Sequence, residues 1–212
     1  MIRHVIWDWN GTLIDDVDLC ADILNQVLIF YQKPTLTVSQ YREFFFFPVS
    51  EFYEVLGLPS HGPEYDKLAN DYISLYRKRF TECNLHKGAL ITIQYLHSIG
   101  VSQSILTAGM QTDIEKFVFH YKITGYFQSL DGANNAYAEG KLDRIVTHLQ
   151  KLRLDPSEVI LVGDTLHDWE ISKHINCQSY LFSNGHITEK RLSEAKAPIL
   201  KSLPDLMRLV RD

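Results

Sequence analysis

Val159-Ile160-Leu161-Val162-Gly163-Asp164 is the stretch that decides the fold. Four aliphatic residues in a row, with no polar alternation, describe a strand covered on both faces. The run stops at a glycine and an acid. The same form recurs at the N-terminus, where a short run rich in β-formers, Ile2 to Trp7, ends at Asp8, and again at Ser104-Ile105-Leu106, which ends at Thr107. Phe127 to Leu130 and Ser179 to Phe182 read as two further strands. Helical spacing fills the intervals: Ala89 to Ile99 with Gly100 as its stop, Thr112 to Tyr121, Leu142 to Leu152, Trp169 to Ile175, and a closing helix over Pro204 to Val210 with proline in its first turn. Strands alternating with helices of this length imply βαβ units, right-handed crossovers and a doubly wound parallel α/β sheet. Ligands bind such sheets beyond the carboxyl ends of the strands. Here those ends carry Asp8, Thr107 and Asp164.

One segment breaks the alternation. From about Asp16 to Cys83 apolar residues recur at helical spacing, as in Leu19, Ile23, Val27 and Leu28, or Leu68, Tyr72, Leu75 and Tyr76. Pro34, Pro48, Pro59 and Pro63 punctuate three or four helices, and no strand is expected. Residues 1–15 and 85–212 then form the core, and residues 16–84 an inserted helical cap. The crossings near Asp15–Asp16 and His86–Gly88 are the expected hinges. A chain of 212 residues suits one domain carrying a smaller insertion.

Composition narrows the function. A hydrophobic share of 45% and an aromatic share of 12% support a real core and exclude wholesale disorder. The formal net charge of −5 is a poor match for a nucleic-acid binder or an anionic membrane surface. Arg77-Lys78-Arg79 reads as a solvated helix face. No apolar stretch approaches the roughly 18–20 residues that span a bilayer, and the N-terminal run is too short for a signal peptide. Cys20, Cys83 and Cys177 show no CxxC or Cys/His spacing, so neither a disulfide scaffold nor a structural zinc site is expected. Together these features suggest a soluble, cytoplasmic protein.

Four segments carry chemistry. Asp8-Trp9-Asn10-Gly11-Thr12 follows the first strand, and by itself its Asn-Gly pair reads equally as a hairpin turn. Thr107-Ala108-Gly109 offers a hydroxyl and small residues whose N–H groups suit an anion. Gly140-Lys141 opens a helix with an ammonium that offsets phosphate charge. Gly163-Asp164 and Asp168 set two carboxylates four residues apart; individually they also read as a helix cap and a first-turn acid.

Taken in order, these segments resemble the haloacid dehalogenase-like (HAD) hydrolase superfamily, over nearly the whole chain. Its DxDG[T/V], strand-end Ser/Thr, lysine and GDxxxD elements look like residues 8–12, Thr107, Lys141 and 163–168. An inserted helical cap is similar to the phosphoglycolate phosphatase-like branch. The resemblance implies a Rossmann-like core and Mg²⁺-dependent hydrolysis of a small phosphomonoester through an aspartyl-phosphate on Asp8. It implies that Asp8, the main-chain carbonyl of Asn10, Asp164 and Asp168 hold the metal. Thr107, the N–H groups of Ala108 and Gly109, and Lys141 would hold the phosphate. Neither a nucleic-acid nor a membrane partner is implied, and the chain is expected to be a monomer or homodimer.

Asn10 departs from the pattern. The family places a second aspartate there, which protonates the leaving oxygen and later activates water. An amide cannot shuttle a proton, and such help is typically worth roughly 10²–10⁴ in rate. Two other outcomes therefore stand beside hydrolysis: a phosphotransferase or mutase, and a non-catalytic phosphate-binding or regulatory protein. His167 is a candidate substitute by location, though a surface histidine is the simpler reading. Arg42 is a candidate contact for a substrate carboxylate, with an exposed arginine as the plainer alternative. Most rings of Phe44-Phe45-Phe46-Phe47, with Phe52 and Tyr53, are expected in the cap core, one or two of them facing the cleft.

Overall fold

The computed structural model describes residues 1–138 and 141–210. In chain order the elements are β1 (His4–Trp7), β2 (Ile14–Asp15), α1 (Val17–Phe30), α2 (Val38–Phe44), α3 (Val49–Val55), α4 (Gly62–Arg79) and β3 (Asn84–Leu85). Then follow α5 (Ala89–Ser98), β4 (Ser102–Met110), α6 (Gln111–His120), β5 (Ser129–Ala133) and α7 (Leu142–Leu152). The chain continues with β6 (Val159–Gly163), α8 (Leu166–Ile175), β7 (Gln178–Phe182), α9 (Glu189–Ser193), β8 (Ile199–Leu200) and α10 (Leu206–Leu209).

Six strands form one parallel sheet in the order β5-β4-β1-β6-β7-β8. The chain winds outward from β1 in one direction through β4 and β5, then in the other through β6, β7 and β8. The reversal lies beside β1, where such sheets open a crevice for ligands. Alternation along the strands shows why the runs are continuously apolar. Val5, Trp7, Ile160 and Val162 pack into one cluster with α5 and α6, while Ile6, Val159 and Leu161 pack into a second with Ile145, Leu149 and Ile171 of α7 and α8. Both faces are covered, so no position can be polar without a partner. The polar exceptions inside the sheet are paired: His4 Nε2 lies 2.7 Å from Ser104 Oγ, which lies 2.8 Å from His148 Nε2.

Helices α1 to α4 sit between β2 and β3, which pair antiparallel, Ile14 with Leu85 and Asp15 with Asn84. The two crossings are thus joined as a short ribbon. Leu19, Ile23, Leu24, Val27 and Leu28 of α1 pack with Leu68, Ala69 and Tyr76 of α4. Burying a side chain of this size contributes about 1.5–3 kcal/mol. Thr37 and Gln40 close a reciprocal cap at the start of α2.

Several local expectations are corrected. Asn10-Gly11 makes no hairpin. The N–H groups of Thr12, Leu13 and Ile14 all turn back to the Trp9 carbonyl, and Gly11 takes φ +69°, so the chain coils tightly behind Asp8. Strand β5 starts at Ser129 rather than Phe127, because Phe127 ends a 3₁₀ turn over Thr124–Tyr126. The closing helix is broken: Leu203–Asp205 is a 3₁₀ turn, and only Leu206–Leu209 is α-helical. Strand β4 runs on past Thr107 to Met110, with a register shift against β5 between Leu106 and Met110. Such irregularities re-aim side chains at strand ends. Among the described residues no helix is long and apolar enough to cross a membrane.

Candidate active site

The carboxyl ends of β1, β4 and β6 bring the expected residues together. Asp8 follows β1, and its backbone N–H donates to the Val162 carbonyl at 2.8 Å, fixing it against β6. One carboxylate oxygen of Asp8 accepts from the Trp9 N–H at 2.7 Å. The other lies 2.9 Å from Lys141 Nζ. The same ammonium lies 2.6 Å from Asp168 Oδ1. Asp168 Oδ2 accepts from the Thr165 N–H and hydroxyl, at 3.1 and 2.8 Å, at the start of α8. Asp164, next to it, accepts from the Thr12 hydroxyl at 2.9 Å and from the His186 N–H at 2.6 Å. One oxygen from each of Asp8, Asp164 and Asp168 falls within 4.8 Å of the others. Gly140 lies outside the described residues.

Thr107, Ala108 and Gly109 share a cavity with Asp8 and Asn10. The Gly109 N–H donates to Thr107 Oγ1 at 3.0 Å rather than standing free. The Arg144 guanidinium grips the Thr107 carbonyl from behind and pairs with Asp131.

The electrostatics are out of balance. Asp8, Asp164 and Asp168 are 7%, 0% and 0% exposed; the Lys141 ammonium contacts Asp8 and Asp168, while His186 acts on Asp164. Burial, opposed by Lys141 and reinforced by the neighbouring aspartates, pushes the Asp8 carboxyl up to about 7. Burial likewise raises Asp164 to about 6, against the pull of His186. Burial would raise Asp168 too, but its Lys141 contact holds it below the usual carboxylate range. Lys141 resists the downward push of burial because Asp168 and Asp8 hold it charged. Three clustered hard oxygen donors are chemistry that suits a hard divalent cation.

A second polar group was not visible in the sequence. Asp16, wholly buried, begins α1, yet its side chain does not cap that helix. Instead it accepts from the Gly11 N–H at 2.8 Å, the Asn10 side-chain amide at 2.6 Å and the Tyr76 hydroxyl at 2.7 Å. His186 Nε2 lies 3.4 Å from it, and His186 Nδ1 is 2.9 Å from the Tyr41 hydroxyl. Burial opposes the imidazolium, but the Asp16 hydrogen bond and charge raise His186 to about 9. The same contacts hold Asp16 low in spite of burial. The Asp15-Asp16 pair read only as a hinge, and Gly185-His186 carried no recognisable spacing.

Glycines make room for this packing. A Cβ on Gly163 would lie 2.1 Å from Asp168 Cγ, and one on Gly185 would lie 2.1 Å from Asp164 Oδ2. The two weaker candidates fall elsewhere. His167 Nε2 accepts from the Lys141 N–H at 3.1 Å, and Nδ1 is 3.5 Å from Glu170, so the ring braces the lysine from outside the cavity. Arg42 is neither freely exposed nor in the cavity wall: it donates to the carbonyls of Ser183 and Ile187. Of the aromatic run, Phe45 and Phe47 reach the cavity with Phe52 and Tyr53, while Phe44 points to solvent.

Comparison with known proteins agrees with this architecture. Residues 5–182 match the family model described as haloacid dehalogenase-like hydrolase. The chain is similar to a phosphoglycolate phosphatase of Rhodobacter capsulatus, 22% identical over 190 residues, covering 88% of this chain and 86% of the relative. It is similar also to the pyrophosphatase PpaX of Anoxybacillus flavithermus, 25% identical over 182 residues, covering 82% and 80%. A solved haloacid dehalogenase-like protein from Streptococcus pneumoniae superposes with a TM-score of 0.80 at 18% identity, over 98% of each chain. Its fold, its clustered strand-end residues and the match across residues 5–182 together place this chain in the haloacid dehalogenase-like hydrolases.

Proposed function

We propose that the protein is a Mg²⁺-dependent phosphomonoester hydrolase that works through an aspartyl-phosphate on Asp8. The observation that carries this reading is the contact of Lys141 Nζ with both Asp8 and Asp168, 2.9 and 2.6 Å away, with Asp164 alongside. The relatives named phosphoglycolate phosphatase and pyrophosphatase act on phosphate compounds by their names, and support the same reaction class.

Asp8, Asp164, Asp168 and the main-chain carbonyl of Asn10 would hold the cation. When bound, it neutralises the carboxylates and polarises a phosphoryl oxygen, so that an anionic nucleophile can approach an anionic ester. Asp8 lines the same cavity as Thr107 and Gly109, which suits in-line attack on a phosphoryl group held there. Lys141 offsets the charge that accumulates on the phosphoryl oxygens, and its near-total burial strengthens that effect. Thr107 and the Ala108 N–H would orient those oxygens, joined by the Gly109 N–H on exchange of its present bond to Thr107 Oγ1. Asn10 contributes no proton. Both of its amide hydrogens are committed, to Asp16 and to the Tyr76 hydroxyl.

Residues 1–15 and 85–212 act in this reading as the catalytic core, and residues 16–84 as the cap that closes the cavity from above. A dry cavity protects the phosphoenzyme from premature loss. The test is turnover of 2-phosphoglycolate and an aryl phosphate with and without Mg²⁺, in wild type and Asp8→Asn, with acid-quenched protein mapped by mass spectrometry. Phosphate on Asp8 and loss of turnover in Asp8→Asn are expected. Turnover that persists in Asp8→Asn overturns the covalent mechanism.

A further inference from the structure

The cavity that reaches Asp8 is small and largely aromatic. Its volume is about 140 Å³; an engineered apolar cavity of roughly 150 Å³ holds one benzene. Phe45, Phe47, Phe52, Tyr53, Met110 and Phe117 stand over Asp8 and Thr107. No lysine or arginine is found among the described lining residues.

Most polar groups in or near the wall are already engaged, while Trp9 Nε1 is an unpartnered neutral donor. The hydroxyls of Tyr41, Tyr65, Tyr72 and Tyr76 bond to His186, the Tyr137 carbonyl, the Cys20 carbonyl and Asp16. Asp113 is held by Arg77, both oxygens within 2.9 Å of its Nε. The His186 ring is turned onto Asp16, with Nε2 3.4 Å from its carboxylate. Arg42, the sequence's candidate for a substrate carboxylate, lies outside the wall, its Nη2 donating to backbone carbonyls and its Nε buried without a partner. A substrate carboxylate here would lose its water against aromatic rings and gain no cationic partner, which disfavours it. An aromatic ring would meet edge and face contacts that add to the apolar area it buries.

Resting on the phosphatase reading above, we infer that the substrate is an aryl phosphate, a phosphate ester of a single-ring phenol, and not the ester of an anionic alcohol. Asn10 supports this independently of the wall. With no acid to protonate the leaving oxygen, the departing group must carry its own negative charge. A phenol ionises near about 10, as tyrosine does, far more readily than an alkyl alcohol. The step balances without an added acid. An Asp8 oxygen bonds to phosphorus, the bond from phosphorus to the phenolic oxygen breaks, and the phenolate leaves with the electron pair. It takes its proton from bulk water. Water then bonds to phosphorus, the bond to Asp8 breaks, and both protons of that water leave on dihydrogen phosphate while Asp8 returns as a carboxylate.

The test is kcat/KM of the full wild-type chain with Mg²⁺ on phenyl phosphate, on 2-phosphoglycolate, and on phenyl phosphates whose phenols differ in acidity. Phenyl phosphate is expected to exceed 2-phosphoglycolate by about tenfold or more, the scale on which an apolar pocket discriminates. The rate should climb with phenol acidity, and phenol but not glycolate should inhibit as a product. If 2-phosphoglycolate equals or exceeds phenyl phosphate, the substrate class is wrong and the phosphatase reading survives. If kcat/KM ignores phenol acidity, the unassisted departure is wrong. If neither ester turns over and no phosphate is found on Asp8, both readings fall together.

Discussion

The Asn10 side-chain amide donates to the Asp16 carboxylate across 2.6 Å, and Asp16 belongs to the junction that leads into α1. The position from which a leaving group would be protonated is thereby tied to a buried anion. Asn10→Asp would press two carboxylates together at that distance, and such a pair keeps one proton into the neutral range because both cannot ionise. The variant therefore regains an acid. Its kcat/KM on esters of weakly acidic alcohols should rise by about 10² or more, the lower end of what general acid help supplies. Its melting temperature should drop below that of wild type, increasingly so as pH rises and the shared proton is lost. A variant no faster on alkyl phosphates than wild type would show that Asn10 is no handicap.

Metal binding should be readable without turnover. Asp8 and Asp164 are pushed up to about 7 and about 6, chiefly by burial. Their ordinary values lie near about 3.9, so in metal-free protein both groups cost stability as pH rises from there through 6 and 7. A cation binds their ionised forms and relieves that cost. The gain in melting temperature on adding Mg²⁺ should therefore be small at pH 5 and grow up to pH 8. A hundredfold excess over the dissociation constant corresponds to about 2.7 kcal/mol. Asp164→Asn should abolish the gain. A pH-independent gain, or one that survives in Asp164→Asn, would place the ion elsewhere.

The junction also sets an alkaline limit. His186 is raised to about 9 by Asp16 despite burial. Because its folded value lies above the unfolded one, its contribution is complete below about 6.5 and is lost as pH rises through about 9. The amount is on the order of 3 kcal/mol. Urea denaturation with saturating Mg²⁺, which removes the Asp8 and Asp164 contribution, should show wild-type stability falling between pH 6.5 and 9. His186→Asn should be less stable throughout, with Asp16 left buried beside fewer partners, and flat across that window. A wild type equally stable at pH 6.5 and 9 would mean that the pair is not an ion pair.

What the sequence disclosed follows from where each kind of information resides. Asp8, Thr107 and Asp164 were legible because strand ends are local events, and a parallel sheet carries neighbouring ends to one edge. Lys141 and Asp168 were singled out by their chemistry, but either alone reads as a surface or capping residue, and only the joint order of the four segments gave them weight. The Asn10-Gly11 turn was half legible: the reversal is present, but its partner is the Trp9 carbonyl rather than a second strand. Asp16, Tyr41, Tyr76 and His186 were invisible because their meeting depends on how α1, α2 and α4 pack over the loop after β7. That information is spread over about the whole chain, and no spacing encodes it. The aromatic run was legible as apolar, but which rings face the cavity depends on how α2 and α3 are turned.

Gly185 offers the sharpest test of the site's packing. A Cβ there would lie 2.1 Å from Asp164 Oδ2 and 2.3 Å from Asp164 Cβ, so the conflict involves the root of the side chain and not only its tip. Asp164 has little freedom to yield, since Thr12 and the His186 N–H hold its two oxygens at 2.9 and 2.6 Å. Gly185→Ala should therefore displace either Asp164 or the loop that carries His186. Misplacing a catalytic group by about 1 Å costs roughly 10² in rate, and the Mg²⁺-dependent gain in melting temperature should shrink with it. Overpacking of this kind costs about 1–3 kcal/mol, so the variant should still fold. Asn184→Ala is the control: its neighbouring side chain donates to the Lys201 carbonyl at 3.3 Å, away from Asp164, and turnover should be nearly unchanged. A Gly185→Ala protein with wild-type turnover and Mg²⁺ response would show that Asp164 does not need the position described for it.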